Sequence, residues 1–85
     1  MNFQKIWENI KTHEGEVFKT KRNLPFTYTV EGNYVIPSRT DYPLHKTQFV
    51  KALEVDNLTG PGKINKIVRG PAYVYGILKD PRIRG

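Results

Sequence analysis

Apolar and polar residues alternate most regularly between Pro25 and Arg39, where the pattern predicts a β-hairpin. Apolar side chains occupy every second position on each side of a turn: Phe26, Tyr28 and Val30 before it, Tyr34 and Ile36 after it. The turn segment Glu31-Gly32-Asn33 contains two residues that tolerate positive φ. A three-residue loop pairs Val30 with Tyr34 and keeps the apolar set on one sheet face, whereas a shift of one residue divides it. The pattern therefore predicts a hairpin with a three-residue loop.

The N-terminal residues show helical spacing instead. Apolar side chains fall at i, i+3, i+4 and i+7, on one helix face: Phe3, Ile6, Trp7 and Ile10. This spacing predicts an amphipathic helix over about residues 2–12, with Asn2 as the candidate N-cap and Gly15 as the stop signal. We interpret Trp7 as a core residue rather than as a platform for a ligand.

The flanks of the hairpin extend this architecture. A short β-prone segment at about 16–20 joins strands at about 25–30 and 33–38, which predicts a three-stranded antiparallel meander. A polar, irregular stretch leads to a helix predicted at about 46–56, with Thr47 as its candidate cap. Phe49, Val50 and Leu53 provide the apolar stripe of that helix.

The last third of the chain is less clearly patterned. Residues 63–69 suit a helix or a strand, because Ile64, Ile67 and Val68 have helical spacing but β-prone chemistry. Pro71 and Asp80-Pro81 bound a helix predicted at about 71–79. Two helices joined at Gly70 would resemble a helix-turn-helix. Residues 81–85 form a basic tail in which Ile83 is expected to dock on the body.

The segment Gly76-Ile-Leu-Lys-Asp-Pro-Arg-Ile-Arg-Gly85 resembles the Ile-Leu-x-Asn-Pro-x-Tyr-x-Gly helix end in the DNA-binding region of large serine recombinases. The resemblance covers about ten residues, and the sequence has Asp80 for the usual Asn and Ile83 for the usual aromatic residue. It implies a helix that ends near Lys79. No family is assigned on this resemblance, because the recombinase catalytic domain has no counterpart in the sequence.

These patterns predict a single small domain over residues 1–85. Its class is α+β, a three-stranded antiparallel meander with an N-terminal helix and two or three C-terminal helices packed on one face. The absence of cysteine excludes disulfides and Cys-based zinc or iron–sulfur sites. No apolar run is long enough to span a membrane, so we expect a cytoplasmic protein of bacterial type that does not bind membranes.

The net charge of +6 is concentrated near the C-terminus. Residues 1–59 contain eight Lys/Arg and seven Asp/Glu, a net of +1, whereas residues 60–85 contain six Lys/Arg and one acid, a net of +5. A basic segment on a near-neutral body is typical of proteins that bind polyanions, most often nucleic acid. The alternative is a solvated basic face that contributes only to solubility.

Enzyme motifs are sparse. His13 and His45 are far apart in sequence and lack the spacing of helical zinc ligands. Gly60, Gly62 and Gly70 match neither a P-loop nor a dinucleotide fingerprint. We therefore expect a non-catalytic protein without a cofactor or a metal.

The leading functional hypothesis is a nucleic-acid-binding domain with mostly sequence-independent phosphate contacts. The predicted contact residues are Arg39, Lys63, Lys66, Arg69, Arg82 and Arg84. Arg39 is expected to be the place where the hairpin meets the basic C-terminal third, and the turn cations Lys21 and Arg22 are further candidates for phosphate contacts at the same edge. The alternative hypothesis is a protein-interaction or assembly module that binds an acidic partner, supported by five tyrosines. The sequence leaves the oligomeric state open.

Overall fold

The computed structural model describes residues 3–84, so Asn2 and Gly85, at the two ends of the predicted elements, lie outside the described residues. The helices are α1 (Phe3–Thr12), α2 (Lys46–Leu53), α3 (Pro71–Leu78) and α4 (Pro81–Arg84), with a 3₁₀ turn at Pro61–Lys63. The strands are β1 (Phe18–Lys19), β2 (Pro25–Phe26), β3 (Tyr28–Glu31), β4 (Tyr34–Pro37) and β5 (Leu44–His45).

The predicted α+β class is confirmed, with a three-stranded antiparallel sheet, an N-terminal helix and C-terminal helices. The sheet has the order β3-β4-β5, and β1 pairs with β2 in a separate two-stranded ladder. Its third strand is therefore Leu44–His45 rather than the segment near 16–20. Thr27 separates β2 from β3, and its N–H donates to Ser38 Oγ at 3.0 Å instead of to a strand carbonyl.

The predicted three-residue hairpin loop is wrong. Val30 pairs with Val35 and Glu31 pairs with Tyr34, which leaves Gly32 and Asn33 as a two-residue loop. Gly32 has a φ of 61°, as the first central position of a two-residue hairpin loop requires. The shift sends Val35 into the core and leaves Tyr34 43% exposed. The apolar alternation therefore divides between the two sheet faces.

The core joins both ends of the chain. Ile6, Trp7 and Ile10 are the buried face of α1, which confirms Trp7 as a core residue. The Tyr28 hydroxyl donates to the Ile10 carbonyl at 2.6 Å, so the buried phenol is satisfied. Apolar side chains from every later layer are also buried: Phe18, Phe26, Leu44, Phe49, Ile64, Val74, Ile77, Leu78 and Ile83. These side chains form one hydrophobic cluster, to which both the helices and the strands contribute.

Helix α2 differs from its prediction at both ends. His45, not Thr47, is the N-cap, and its Nδ1 accepts from the Thr47 backbone N–H at 3.2 Å. The helix ends at Leu53, short of residue 56. Of the predicted apolar stripe only Phe49 is fully buried, while Val50 and Leu53 are half-buried and Ala52 is the second buried residue of the helix.

Residues 63–69 form neither of the predicted alternatives, so the helix-turn-helix hypothesis is wrong. After the 3₁₀ turn the chain continues as turns, and the N–H groups of Ile67 and Val68 both donate to the Ile64 carbonyl. Ile64 and Val68 are buried and Ile67 is exposed. A single helical turn is enough to bury two apolar anchors, and Gly70, just beyond it, has a left-handed φ of 60° that departs from a right-handed helix.

Helix α3 agrees closely with the sequence and ends with Lys79 as its C-cap. Gly76 lies where α3 touches β1: a Cβ atom there would be 2.8 Å from the Lys19 carbonyl oxygen and 3.2 Å from Phe26. The predicted basic tail is helical over Pro81–Arg84, and Ile83 is fully buried as expected. The close contact at Gly76 brings Lys79 next to the turn that follows β1.

Candidate nucleic-acid interface

Three cations meet beside the turn that follows β1. Lys21, Arg22 and Arg39 line a surface groove of about 360 Å³. Its remaining lining residues are Thr20, Leu24, Pro61, Ala72 and Tyr73, and none is acidic. We call this groove the Tyr73 groove. The hairpin end therefore meets the C-terminal third here, in agreement with the expectation for Arg39.

The fold holds two of these cations in place. Arg39 Nε donates to the Pro25 carbonyl at 2.8 Å. Lys21 Nζ donates to the Thr59 carbonyl at 3.2 Å, and the Tyr75 hydroxyl donates to the same oxygen at 3.0 Å. These contacts attach each charged side chain to a backbone carbonyl. They orient the charge without neutralising it.

A second groove lies on the other side of the same turn. It encloses about 350 Å³ and is lined by Val17, Phe18, Lys19, Asn23, Lys79, Asp80, Pro81 and Arg82. We call it the Lys79 groove. Lys79 Nζ donates to the Thr20 carbonyl at 3.4 Å and lies 5.8 Å from the centre of the Tyr75 ring. The Tyr75 ring thus contacts Lys79, and the Tyr75 hydroxyl donates to the same Thr59 carbonyl as Lys21. Tyr75 therefore links the two grooves.

Together these side chains form a basic band: Lys19, Lys21, Arg22, Arg39 and Lys79. Across residues 3–84 the ion pairs involve only Lys11, His13 and Arg82 as cations, so no member of the band has a carboxylate partner there. The acid in the Lys79 groove, Asp80, is already paired with Arg82. The band therefore carries uncompensated positive charge, which favours anionic ligands.

Arg82, a predicted nucleic-acid contact, is instead held inside the protein's own hydrogen-bond network. Its Nε and Nη2 donate to the two carboxylate oxygens of Asp80, each at 2.9 Å. Nη1 donates to Glu16 Oε1 at 2.8 Å, and Nη2 also donates to the Val17 carbonyl at 2.8 Å. The guanidinium lies 4.0 Å from the centre of the Phe18 ring. We call this arrangement the Arg82 clamp; it joins α4 to the segment after α1.

The clamp shifts the ionisation of its members. Hydrogen bonds from Arg82 lower the pKa of the Asp80 carboxyl. The pKa of the Glu16 carboxyl is lowered first by its hydrogen bond with His13 and then by Arg82. The two carboxylates raise the pKa of the Arg82 guanidinium, with the Asp80 hydrogen bond as the largest cause. All three groups are charged at neutral pH, and four of the five N–H donors of the Arg82 guanidinium are occupied.

The other predicted contact residues lie outside both grooves. Lys63 and Lys66 are exposed, and within residues 3–84 their side chains form no ion pair. The Arg69 guanidinium lies 5.0 Å from the centre of the Tyr42 ring, and its backbone N–H donates to Gln48 Oε1 at 2.8 Å. Arg84 Nε donates to the Leu78 carbonyl at 2.8 Å, and Arg84 lines a separate groove of about 330 Å³ with Asp56.

The sequence prediction missed Lys19 and Lys79. Their approach to the band depends on the contact between α3 and β1, which no local pattern reports. One signal was available in Gly76, because a glycine inside a helix often marks a close approach of backbone.

The two histidines make local contacts with neighbours in sequence. His13 Nδ1 lies 3.0 Å from Glu16 Oε2, and His45 is engaged at the N-cap of α2. The part of the chain that the structure describes contains no group of three or more His, Cys, Asp or Glu residues placed to hold a metal ion. Nor does any helix among residues 3–84 have the length and apolar character needed to cross a membrane.

Comparison with curated proteins finds a partial relative. The chain is 34% identical over 79 residues to the tRNA pseudouridine synthase A of Methanosarcina barkeri (strain Fusaro / DSM 804). The alignment covers 89% of this chain and 29% of that protein, so the chain spans less than a third of its relative's length. No family model and no solved structure matches the chain.

Proposed function

We propose that this chain is a non-catalytic RNA-binding domain whose basic band contacts phosphates. The observation that carries the proposal is the gathering of five cations around one turn, without carboxylate partners among the described residues. Cations held close together repel one another, and a polyanion relieves that repulsion while releasing its own counterions.

The partial relative supports RNA as the nucleic acid. Its name describes a synthase that acts on tRNA, and the alignment with it covers most of this chain. We extend to this chain the class of ligand only. The shared segment is less than a third of the enzyme, which fits a contribution to RNA binding rather than the whole reaction.

Binding without catalysis is supported by the use of three of the eight acids as structural acceptors. Asp80 and Glu16 are paired with Arg82 in the clamp. Glu14 Oε2 accepts from the Val30 backbone N–H at 2.7 Å. Carboxylates that already serve as structural acceptors are poorly placed to act as general bases.

Three further cations lie close in sequence to residues that line the Tyr73 groove, although they line neither groove themselves. Lys63 follows Pro61, a residue of the Tyr73 groove, by two positions, and Arg69 precedes Ala72 by three. We propose that Lys63, Lys66 and Arg69 make additional phosphate contacts, with Arg84 more peripheral. Arg82 is left out, because four of its five guanidinium N–H donors are used within the clamp.

The test is fluorescence anisotropy with a labelled tRNA transcript at salt concentrations between about 50 and about 200 mM. Lys19→Ala should weaken binding and reduce the slope of log K against log salt by about 0.7–0.9. Lys5→Ala is the matched control. Lys5 is an exposed lysine on α1, and no residue of α1 lines either groove of the band. This control should leave both quantities nearly unchanged.

Two results would contradict the proposal. One is the absence of tRNA binding at the lowest salt concentration. The other is an equal loss of affinity in Lys5→Ala and Lys19→Ala. The non-catalytic part is tested separately by measuring pseudouridine in the tRNA after incubation with the protein, where we expect no increase.

An acidic protein is the second candidate partner. Large apolar side chains flank the band, with Val17 56% exposed and Leu24 47% exposed, as in many protein interfaces. Poly-glutamate that displaces labelled tRNA as efficiently, charge for charge, as unlabelled RNA would favour this alternative. Weak displacement by poly-glutamate would favour RNA.

A further inference from the structure

We infer that the Tyr73 groove receives an unpaired nucleotide, so that the RNA recognised by this domain is single-stranded where it crosses the groove. The inference rests on the proposed function and adds the structural class of the RNA. The supporting observation is that one side of the groove is lined by cations and the other side by apolar residues.

The apolar side offers a surface for a base. Tyr73 is half-buried, and its ring meets Phe26 edge-on, with centroids 5.2 Å apart and planes at 80°. This contact fixes the ring before any ligand arrives, which lowers the entropic cost of stacking. Leu24, Pro61 and Ala72 continue the apolar lining, and Leu24 is 47% exposed.

The cationic side offers contacts for the adjacent phosphates. Arg39 uses Nε to hold the Pro25 carbonyl, and no other hydrogen bond of its guanidinium is found within residues 3–84. Arg22 is exposed and forms no ion pair with a described residue. Guanidinium groups suit phosphate oxygens because they donate in a planar fork.

Size and chemistry together favour a single strand. A volume of about 360 Å³ lies at the small end of ligand sites, where one nucleotide-sized group fits better than a helix. In a duplex the faces of the bases are stacked on one another and cannot reach an aromatic wall. Proteins that bind single strands combine a positively charged groove with aromatic side chains in this way.

The experiment compares two probes of one sequence: a fluorescein-labelled single-stranded RNA of about 12 nucleotides and the same RNA annealed to its complement. Wild-type protein should bind the single strand more tightly. Tyr73→Leu should weaken single-strand binding by about fivefold or more, as expected from the loss of one stacked base, and change duplex binding by less than about twofold. Tyr73→Phe is the control, because it keeps the aromatic face.

A second variant avoids the contact between Tyr73 and Phe26. Leu24→Ser alters an exposed part of the same wall and should also weaken single-strand binding selectively. Equal or tighter duplex binding, or Tyr73→Leu and Leu24→Ser variants that bind the single strand as wild type does, would overturn this inference and leave RNA binding intact. Failure to bind either probe at low salt would overturn the proposed function itself.

Discussion

The contact between α3 and β1 makes Gly76→Ala a sharp test of the structure. In most helices this substitution stabilises by about 1 kcal/mol, because alanine has the higher helix propensity. Here the added Cβ would lie 2.8 Å from the Lys19 carbonyl oxygen, a backbone atom that no rotamer change can move. Forcing a methyl group into a packed site costs about 1–3 kcal/mol. We expect a net destabilisation of about 1 kcal/mol.

Unfolding in urea is monitored by circular dichroism. A loss of that size shifts the midpoint by roughly 0.5–1 M for a protein with a slope of 1–2 kcal/mol/M. The matched control is Gly62→Ala. Gly62 is exposed in the 3₁₀ turn, and a Cβ built there has no neighbour within 4 Å. Gly62→Ala should be neutral or stabilise by a few tenths of a kcal/mol up to about 1 kcal/mol.

Gly76→Ala should also weaken RNA binding, because relief of the clash moves α3 away from β1. That movement separates Lys79 from the Thr20 carbonyl and disturbs the basic band at the link between its grooves. A Gly76→Ala variant that is more stable than wild type would refute the close approach. A variant destabilised as expected but with unchanged RNA affinity would show that the band does not depend on it.

The Arg82 clamp supplies two further predictions. Arg82→Lys keeps the charge but loses the planar fork on Asp80 and the stacking on Phe18, and should lower the unfolding free energy by about 1–2 kcal/mol after allowance for a side chain 35% exposed. Arg22→Lys, at an exposed residue without an ion pair among described residues, should leave stability unchanged in the same urea assay. Because the pKa values of Asp80 and Glu16 are lowered in the folded state, their contribution is fully present above the ordinary carboxyl range and is lost as pH falls through the folded values. Unfolding measured from pH 7 downward should therefore show stability falling below about pH 4, and Arg82→Gln should show a shallower fall; identical profiles would contradict the clamp.

The hairpin shows how far a local pattern determines structure. Alternation correctly predicted two antiparallel strands, because it reports a sheet with one buried face. It could not determine the register, because Tyr34 and Val35 are both apolar and either can face inward. Tyr34 lies on the outer face with its ring edge-on to His45, at a centroid distance of 5.0 Å. That neighbour comes from β5, a strand that the sequence pattern did not predict.

Residues 63–69 show a different limit. The helical spacing of Ile64 and Val68 correctly marked two buried anchors, but it did not report the length of the element. One turn brings both side chains to the core, and the Val68 N–H closes it on the Ile64 carbonyl at 3.0 Å. Spacing indicates which side of a segment is apolar, whereas helix length depends on whether the residues after that turn can extend it.

The sequence predicted that the candidate interface would be positively charged, but it located only some of the residues that form it. Charge counting predicts an anionic partner, which stays a prediction. Arg39 does meet the C-terminal third, but at Pro61, Ala72 and Tyr73 rather than at its predicted cations. Arg82 differs from Arg39 because Asp80, two residues before it, and Glu16, distant in sequence, occupy its donors. Lys19 and Lys79 come together only through the tertiary contact at Gly76. Whether a cation is free to bind a ligand therefore depends on its neighbours in space.

The Arg82 clamp also has a consequence for the timing of folding during synthesis. It joins α4 to Glu16 and Val17, and Asn9 Nδ2 donates to the Ile83 carbonyl at 2.8 Å, so contacts span most of the chain. Four cations of the basic band precede residue 40, whereas Lys79 and the helix that carries Tyr73 follow residue 70. A growing chain therefore carries four of the five cations of the basic band before the residues that complete the grooves are made. The Tyr73 groove needs Ala72 and Tyr73 of α3, and the Lys79 groove needs Pro81 and Arg82 of α4, so each groove depends on a helix made after most of the band.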